Sequence, residues 1–251
     1  MSKKNIIIAN WKCNPSKEKD ALLLAKSIVR GVSGSKNVEI VISPPFIYLP
    51  ILKKTNLKLA AQDCFWQGSG PFTGEISPLM LKNLNVEYVI LGHSERRKYF
   101  NETDEIIAKK TEAALINKLS PILCVGETIA EREKKKTKEI LTNQLRKILL
   151  LINKSKFNVD NFVIAYEPRW AIGSGNSCDP SLAKDILVFL KDKLARNLKG
   201  KIIRNIRIIY GGSTDSQNAE KYLTVGFKGF LVGGSSLKAQ EFIKIMKSCD
   251  S

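Results

Sequence analysis

The chain has 251 residues, of which 43% are apolar and 26% charged, so it is long enough for one large α/β domain and has the composition of a globular enzyme. Its net charge of +17 raises nucleic acids and anionic substrates as partners. The lysines are spread along the whole chain, however, and do not form the Arg-rich cluster typical of a nucleic-acid site, so we expect no such partner.

The cysteines and the first residues of the chain indicate in which cellular compartment the protein is expected. Five scattered cysteines and a single histidine argue against a zinc site or a disulfide framework and predict reduced thiols. No apolar run is long enough to cross a membrane, and the start MSKKNIIIAN has too few apolar residues for a signal peptide. We therefore expect a cytoplasmic protein with no membrane partner.

Short β-rich runs alternate with amphipathic helical patterns along the whole chain. The predicted strands are, in order, Ile6–Asn10, Val38–Ser43, Lys58–Ala61, Tyr88–Leu91, Pro121–Val125, Phe162–Tyr166, Arg207–Tyr210 and Gly229–Val232. The clearest helices are Ala21–Val32, Glu105–Lys118, Lys138–Asn153, Leu182–Leu198 and Ala239–Lys247. This alternation predicts an α/β fold, a single (β/α)8 barrel over residues 1–251. A doubly wound open sheet is the alternative, but the early GxGxxG typical of that fold is absent.

Residues suited to chemistry fall where the predicted strands end. They are Asn10 and Lys12, His93, Glu167, Gly211–Ser213 and Gly233–Gly234. In a parallel barrel all these strand ends meet at one mouth, where the active sites of this fold lie. The sequence therefore predicts an enzyme.

Glu167 ends an apolar strand and leads into a glycine-rich loop, NFVIAYEPRWAIGSG over residues 161–175. A carboxylate at the end of a buried strand is costly unless it is used or paired. One interpretation is a catalytic base under a lid, and the other is a strand-end acid in a solvated turn. This stretch alone does not separate them.

Lys12, His93 and Glu95 each allow a functional and a structural interpretation. Lys12 is a solvated charge, or a fixed cation for an anionic substrate. His93, in LGHSERR, is a hydrogen-bonded structural histidine, or a neutral ring that donates a hydrogen bond. The second interpretation follows from Ser94, which reads as a helix cap, because the positive helix end would disfavour an imidazolium. Glu95 is a first-turn acid, or a partner for Lys12.

Two glycine-rich turns, YGGS and VGGS, follow the last two strands. A single GGS is a weak signal because turns favour glycine. A pair of them at this point of a barrel predicts phosphate binding through backbone amides.

The loop QDCFWQGSGPFTGEIS, residues 62–77, is unusually long and carries three large aromatic side chains. Loops of this length are usually functional or interfacial. We expect a subunit contact here, and the alternative is a loop folded on its own surface.

Taken together, the motifs AxNWK, GHSERR, CVGE, YEPxWAIGxG, YGGS and LVGG resemble the triose-phosphate isomerase family, in the order of that family and over essentially the whole chain. The resemblance implies interconversion of dihydroxyacetone phosphate and D-glyceraldehyde 3-phosphate in glycolysis and gluconeogenesis, without metal or organic cofactor. It implies that Glu167 is the base and His93 the electrophile, with Lys12 and Glu95 completing the catalytic set. The substrate-binding residues it implies are Asn10, Trp11, Lys12, Gly173, Ser213, Gly233 and Gly234.

The resemblance also implies a homodimer, with Thr73 of the long loop and Cys13 at the subunit contact. The chain departs from the family pattern in the lid, where Arg169 replaces an aliphatic residue and Ser174 and Asn176 replace the usual Thr and Lys. These changes leave the kinetics of the lid open. The nearest rival within enzymes is a phosphate-binding barrel aldolase that would form a Schiff base on Lys12.

Overall fold

The computed structural model describes residues 3–154, 157–172 and 177–250. Within them eight parallel strands close into a barrel in chain order, each paired with the next and the last with the first. The strands are β1 (Asn5–Asn10), β2 (Val38–Ser43), β3 (Lys58–Ala61), β4 (Tyr88–Leu91), β5 (Ser120–Val125), β6 (Val163–Tyr166), β7 (Arg207–Tyr210) and β8 (Gly229–Val232). The predicted (β/α)8 barrel is confirmed, and no predicted strand is off by more than one residue at either end.

Helices surround this barrel. They are α1 (Glu18–Val32), α2 (Leu49–Leu52), α3 (Pro78–Asn83), α4 (Ser94–Tyr99), α5 (Asp104–Ile116), α6 (Ile129–Glu133), α7 (Thr137–Lys154), α8 (Pro180–Asn197), α9 (Gly200–Asn205), α10 (Ala219–Thr224) and α11 (Ala239–Asp250). Short 3-10 turns lie at Phe46–Tyr48, Arg169–Ala171 and Gly234–Leu237. No helix in the described ranges is both long and apolar enough to cross a membrane.

The five long helices match the amphipathic patterns, whereas the shorter ones span too few residues to show a period of 3.6. Alternation along the strands divides the apolar core into two layers. In β1, Ile6 and Ile8 face the barrel interior, whereas Ile7 and Ala9 face the helices. Both faces are covered, and the strand therefore reads as a continuous apolar run.

The first and last strands close the barrel through the pairs Ile6↔Gly229 to Ala9↔Val232. Gly229 has a φ of +128°, and a Cβ there would stand 1.7 Å from the carbonyl oxygen of Ile6. A larger residue would hold β8 away from β1, so glycine is required at the closing seam.

Charged residues at the strand starts form a network at the N-terminal end of the barrel. Glu39 Oε1 accepts hydrogen bonds from Lys58 Nζ at 2.8 Å and from the Tyr88 hydroxyl at 2.7 Å, and Oε2 accepts one from Arg207 Nη1. Although burial raises the pKa of Glu39, the hydrogen bonds from Lys58 and Arg207 lower it to about 2. The network thus joins strands β2, β3, β4 and β7 through one carboxylate.

We predict that Glu39→Gln destabilises the fold in a pH-dependent way. A drop in pKa from 4.5 to about 2 on folding corresponds to at most about 3 kcal/mol at 1.36 kcal/mol per unit, and solvent screening of the half-exposed Lys58 reduces this figure. Because the folded-state pKa lies below the unfolded value, this stabilisation is complete above pH 4.5 and is lost as the pH falls toward 2. Urea denaturation from about pH 7 to about pH 3 measures the free energy of unfolding of wild type and variant. The difference between the two should become smaller below pH 4.5.

The control is Glu112→Gln, which removes an exposed carboxylate that has no ion pair among the described residues. It should leave the free energy of unfolding nearly unchanged. A Glu39→Gln variant as stable as wild type at neutral pH would contradict the prediction.

Candidate active site

The end of β1 presents Asn10 and Lys12 at the C-terminal mouth of the barrel. Lys12 has a φ of +53°, which is unfavourable for a residue with a side chain. Its N–H donates to Asn10 Oδ1 at 3.0 Å, and its carbonyl accepts from Gln62 Nε2 at 2.8 Å. These contacts hold the strained backbone, which is the situation found at many functional sites. The Nζ of Lys12 lies 2.5 Å from Glu95 Oε1, so the pairing of Glu95 with Lys12 is the arrangement adopted.

His93 follows β4 and caps α4 with its own side chain. The cap is therefore His93 and not Ser94, which is the first residue of the helix. Nδ1 of His93 accepts the N–H of Glu95 at 3.2 Å. An imidazole that accepts at Nδ1 carries its proton on Nε2, so the nitrogen on the opposite side of the ring is a hydrogen-bond donor.

Glu167 lies one residue beyond β6 and is almost fully covered, with its side chain 3% exposed. Its Oε2 accepts the N–H of Ser94 at 2.9 Å. Its Oε1 lies 3.3 Å from His93 Nε2, but without hydrogen-bond geometry, and this buried oxygen has no hydrogen-bond partner among the described residues. Burying a carboxylate oxygen without a partner is unfavourable, which is typical of a group placed for reaction rather than for stability.

Two glycines make room for Glu167. A Cβ on Gly126 would stand 1.7 Å from the carbonyl oxygen of Glu167, and a Cβ on Gly211 would stand 2.8 Å from its Cγ. Gln144 of α7 fixes Gly126 by donating to its carbonyl and accepting its N–H, at 3.0 and 2.8 Å. The position of the carboxylate therefore depends on β5, β7 and α7 as well as on its own strand.

A buried ion cluster anchors the helix α4 that carries Glu95. Lys110 Nζ donates to both oxygens of Asp63, at 2.8 and 2.7 Å, and Arg96 contacts the same carboxylate at 2.9 Å. Arg96 also donates to Glu102 at 2.7 Å. Burial raises the pKa of Asp63 to about 6 against the opposing effect of Lys110. The cluster ties the root of the long loop, α4 and α5 to one another.

A cavity of about 340 Å³ opens at this mouth of the barrel. Asn10, Lys12 and His93 line one part of it, and the two glycine-rich turns line another. Among the predicted residues, Asn10, Lys12, His93, Ser213, Gly233 and Gly234 are brought together here. Glu167 lies beside the cavity rather than in its wall, because its carboxylate is turned toward the amide of Ser94.

The glycine-rich turns offer free donors. The N–H groups of Gly233 and Gly234 make no hydrogen bond to any other described residue. A Cβ on Gly233 would stand 3.3 Å from Lys12 Cε, so glycine lets this backbone approach the lysine closely. Unpaired amides beside an ammonium group form a site for an anion.

The segment that follows Glu167 is held by Glu127 of the CVGE motif, which sequence reasoning did not single out as a functional residue. The indole of Trp170 donates to Glu127 at 3.0 Å, and the Tyr166 hydroxyl donates to it at 3.2 Å. Burial raises the pKa of this fully covered acid. Arg132 stacks on Trp170, at 4.4 Å from the ring centre. Arg169, in the same turn, is half-buried and has no carboxylate within ion-pair distance among the described residues.

Trp11, predicted to bind substrate, lies outside the cavity, as do Thr73 and Cys13, which were predicted at a subunit contact instead. The side chain of Trp11 is fully buried in the core and does not line the cavity, since a large indole is stabilised most by burial among apolar groups. Thr73 and Cys13 are exposed and lie outside the cavity wall. Gly173 lies outside the described residues, as do Ser174 and Asn176.

Sequence reasoning also missed three hydrogen bonds. The Ser94 amide donates to Glu167, Gln62 donates to the carbonyl of Lys12, and Gln144 bonds both backbone groups of Gly126. Their roles arise from contacts across the fold, and the available signal was limited to the GHSERR and CVGE motifs beside them. Among the described residues, no group of three or more His, Cys, Asp or Glu could hold a metal ion.

Comparison with known proteins identifies relatives of this arrangement. The model of the family described as triosephosphate isomerase matches residues 5–249. A triosephosphate isomerase of Dictyoglomus thermophilum is 44% identical over 98% of this chain and 100% of its own length. The triosephosphate isomerase of Thermoanaerobacter pseudethanolicus is 43% identical over 96% of this chain and 98% of its own, and that of Rhodopirellula baltica is 41% identical over the whole of both.

We predict that Gly211→Ala displaces the Glu167 side chain. The new methyl group would stand 2.8 Å from Glu167 Cγ and 3.3 Å from the Tyr166 carbonyl oxygen, so the carboxylate must leave the Ser94 amide. Overpacking of this kind costs about 1–3 kcal/mol, which chemical denaturation would measure. A crystal structure of the variant should show the contact between Glu167 and Ser94 broken.

Gly200→Ala is the matched control, because a Cβ there meets nothing within 4 Å. It should leave both the stability and the position of Glu167 unchanged. If Gly211→Ala behaves like this control, the close approach does not constrain the carboxylate.

Proposed function

This chain belongs to the triosephosphate isomerase family and interconverts dihydroxyacetone phosphate and D-glyceraldehyde 3-phosphate, a step of glycolysis, and we propose that Glu167 and His93 carry out its chemistry. Glu167 takes a proton from the carbon next to the carbonyl, which leaves an enediolate, and returns a proton to the neighbouring carbon. His93 donates a hydrogen bond from Nε2 to the oxygen on which charge develops, passes that proton to it and takes up the proton of the neighbouring hydroxyl, so that carbonyl and hydroxyl change places. The hydrogen moves as a proton, so the reaction needs no net oxidant or reductant.

The observation that carries this proposal is the pairing of Glu167 with His93 across the end of the barrel. The carboxylate Oε1 and the imidazole Nε2 lie 3.3 Å apart, and both groups are nearly inaccessible to water. A base and a donor this close can address a carbon and its attached oxygen at the same time once the carboxylate has turned into the cavity. Low exposure strengthens both interactions by removing competing water.

Helix α4 supports the role of His93 as a neutral donor. The amide of Glu95 occupies Nδ1, which leaves the proton on Nε2, the nitrogen nearer to Glu167. A neutral imidazole is a weaker acid than an imidazolium ion. An imidazolium beside Glu167 would first lose its proton to that carboxylate, whereas the neutral ring keeps its N–H and donates it to the enediolate. A glutamate base and a neutral histidine that polarises the carbonyl are the established pair of the triosephosphate isomerase family, so these roles agree with those of its known members.

Lys12 and the glycine-rich turns account for binding of the phosphate. The ammonium group borders the same cavity as the Ser213 turn and the amides of Gly233 and Gly234, which have no partner among the described residues. We assign Asn10 and Lys12 to the substrate, Glu95 to holding the lysine, and Ser213, Gly233 and Gly234 to the phosphate. The role of Gly173 rests on the resemblance of its motif alone.

Glu167 must turn before it can react. Its Oε2 is held by the Ser94 amide, and its side chain lies outside the cavity wall. Binding of substrate therefore has to be linked to release of this hydrogen bond. The 3-10 turn Arg169–Ala171 follows Glu167 after Pro168, so rotation of the carboxylate is linked along the chain to movement of this turn.

The aldolase alternative requires Lys12 to act as a nucleophile. The ion pair with Glu95 at 2.5 Å engages the ammonium group and leaves no free amine aimed at a carbonyl. Borohydride treatment in the presence of a ketose phosphate should therefore leave Lys12 unmodified.

We predict that Glu167→Gln and Glu167→Asp both lower isomerase activity. Gln cannot accept the proton, and Asp withdraws the carboxylate by one methylene, so kcat should fall by about 10²–10⁴-fold or more in a coupled assay. Glu133→Gln, an exposed acid on α6, is the control and should retain wild-type activity. Full activity of the Gln variant would remove Glu167 from the role of base.

We further infer that residues 1–251 form one catalytic domain of a cytoplasmic homodimer. The long loop supports a subunit contact: Phe65 is buried against Trp66 and Phe72 at 4.1 and 4.8 Å, while Phe72, Leu79 and Met80 are 38–51% exposed. The loop thus folds partly on itself and still presents apolar surface and the exposed Thr73. Exposed apolar clusters of this kind mark interaction sites.

We predict that Thr73→Arg yields monomers with lowered activity, because a charged side chain would be buried in the contact. A bulky thiol reagent on the exposed Cys13 should have the same effect. Light scattering coupled to size exclusion gives the mass, and Thr224→Arg, on the exposed face of α10, is the control. A fully active monomer would refute the need for the dimer.

A further inference from the structure

A second cavity, of about 520 Å³, lies at the N-terminal end of the barrel, opposite the active site. Its wall comes from the starts of β1, β2, β3, β6 and β7. The charged and hydrogen-bonding side chains in this wall are those of Lys3, Lys4, Glu39, Lys58, Asn161 and Arg207. Four of these carry positive charge and one carries negative charge, so the cavity is electropositive.

The single carboxylate in the wall is already fully engaged. Glu39 accepts hydrogen bonds from Lys58, Tyr88 and Arg207, which use both of its oxygens. A second acid, Glu87, pairs with Lys58 at 3.0 Å. Glu39 and Asp160 still act on Lys3 through their charges, but no carboxylate of a described residue lies within ion-pair distance of Lys3 or Lys4.

Lys3 and Lys4 form no ion pair with any described residue. The only hydrogen bond of the Lys3 ammonium within the described part of the chain is to the neutral Asn161 Oδ1, at 3.3 Å. Burial, and then the positive charge of Arg207, lower the pKa of Lys3. Lys4 has no carboxylate within ion-pair distance among the described residues. Donors in this wall outnumber the available acceptors, and Arg207 Nε also lacks an acceptor there.

We propose that this cavity binds a phosphate dianion between Lys3 and Lys4, as free phosphate or as the head of a small phosphate monoester. Two unpaired ammonium groups match two negative charges, and lysine binds phosphate as a point charge. The volume lies within the range of small-molecule sites, about 300–1,000 Å³, and Val38, Ile40 and Leu57 supply an apolar side for an organic group.

The site is independent of the proposed catalytic role, because its residues lie at the opposite ends of the strands. It also accounts for part of the surplus of lysine that the active site does not use. A bound anion there would join the segment before β1 to the network around Glu39.

Equilibrium dialysis with radiolabelled inorganic phosphate at fixed ionic strength tests the proposal. Wild type should bind at two sites, and the double variant Lys3→Gln, Lys4→Gln should lose one of them, or bind at that site at least tenfold more weakly. The matched control is Lys19→Gln, Lys26→Gln, which removes two exposed lysines of α1 and the same amount of charge. This control should keep both sites.

A parallel titration with phenyl phosphate distinguishes the two sources of the dianion. Tighter binding of the monoester at the site lost in the double variant identifies an organic phosphate, and equal binding identifies the free anion. Lys3→Arg retains the charge and should retain the site. One site in wild type, or equal stoichiometry in wild type and both double variants, would overturn the proposal. The isomerase activity of the Lys3→Gln, Lys4→Gln variant should be unchanged, so this outcome is separate from that of the Glu167 variants.

Discussion

The pairing of β1 with β8 is the contact on which the site depends. Without it the eight strands would form an open sheet, and Lys12 would be separated from Gly233 by the full width of that sheet. The closing seam brings the lysine side chain to within 3.3 Å of the position of a Cβ on Gly233. Gly229 makes the closure possible, since any side chain there would collide with Ile6. The phosphate site that we propose between the first strand and the last two therefore depends on one backbone contact.

The two ends of the barrel handle charge differently. At the N-terminal end, both oxygens of Glu39 accept hydrogen bonds, from Arg207, Lys58 and Tyr88, and those of Lys58 and Arg207 keep its pKa low, although Arg207 Nε has no acceptor among the described residues. At the C-terminal end, Glu167 keeps one oxygen buried without a hydrogen bond, and the amides of Gly233 and Gly234 stay unpaired among the described residues. Groups that are fully satisfied stabilise a fold, whereas groups left unsatisfied are available to a ligand. The unfavourable arrangement at the C-terminal end is tolerated because the core and the opposite network supply the stability.

Under the proposed role of Glu167 as base, its position beside the cavity, rather than in it, would control its reactivity. The amide of Ser94 holds the carboxylate away from the space that substrate would occupy. Glu127, Trp170 and Tyr166 hold the segment that follows in a separate set of hydrogen bonds. Arg169 adds a half-buried cation to this segment, and burial lowers its pKa. In the proposed mechanism, the hydrogen bonds of Glu167 and of Trp170 are therefore contacts that would be exchanged when substrate binds.

The sequence by itself determined the order of the strands, the barrel and most of the candidate residues, because apolar periodicity and strand-end glycines are local signals. It left open whether Glu95 pairs with Lys12, since that contact joins residues 83 positions apart. It could not show that Ser94 holds Glu167, that Gln144 clamps Gly126, or that the Trp11 indole belongs to the core. Only the tertiary structure decided these points, because hydrogen-bond partners across a barrel are fixed by the register and closure of eight strands, and no local pattern in the chain encodes a distance between them.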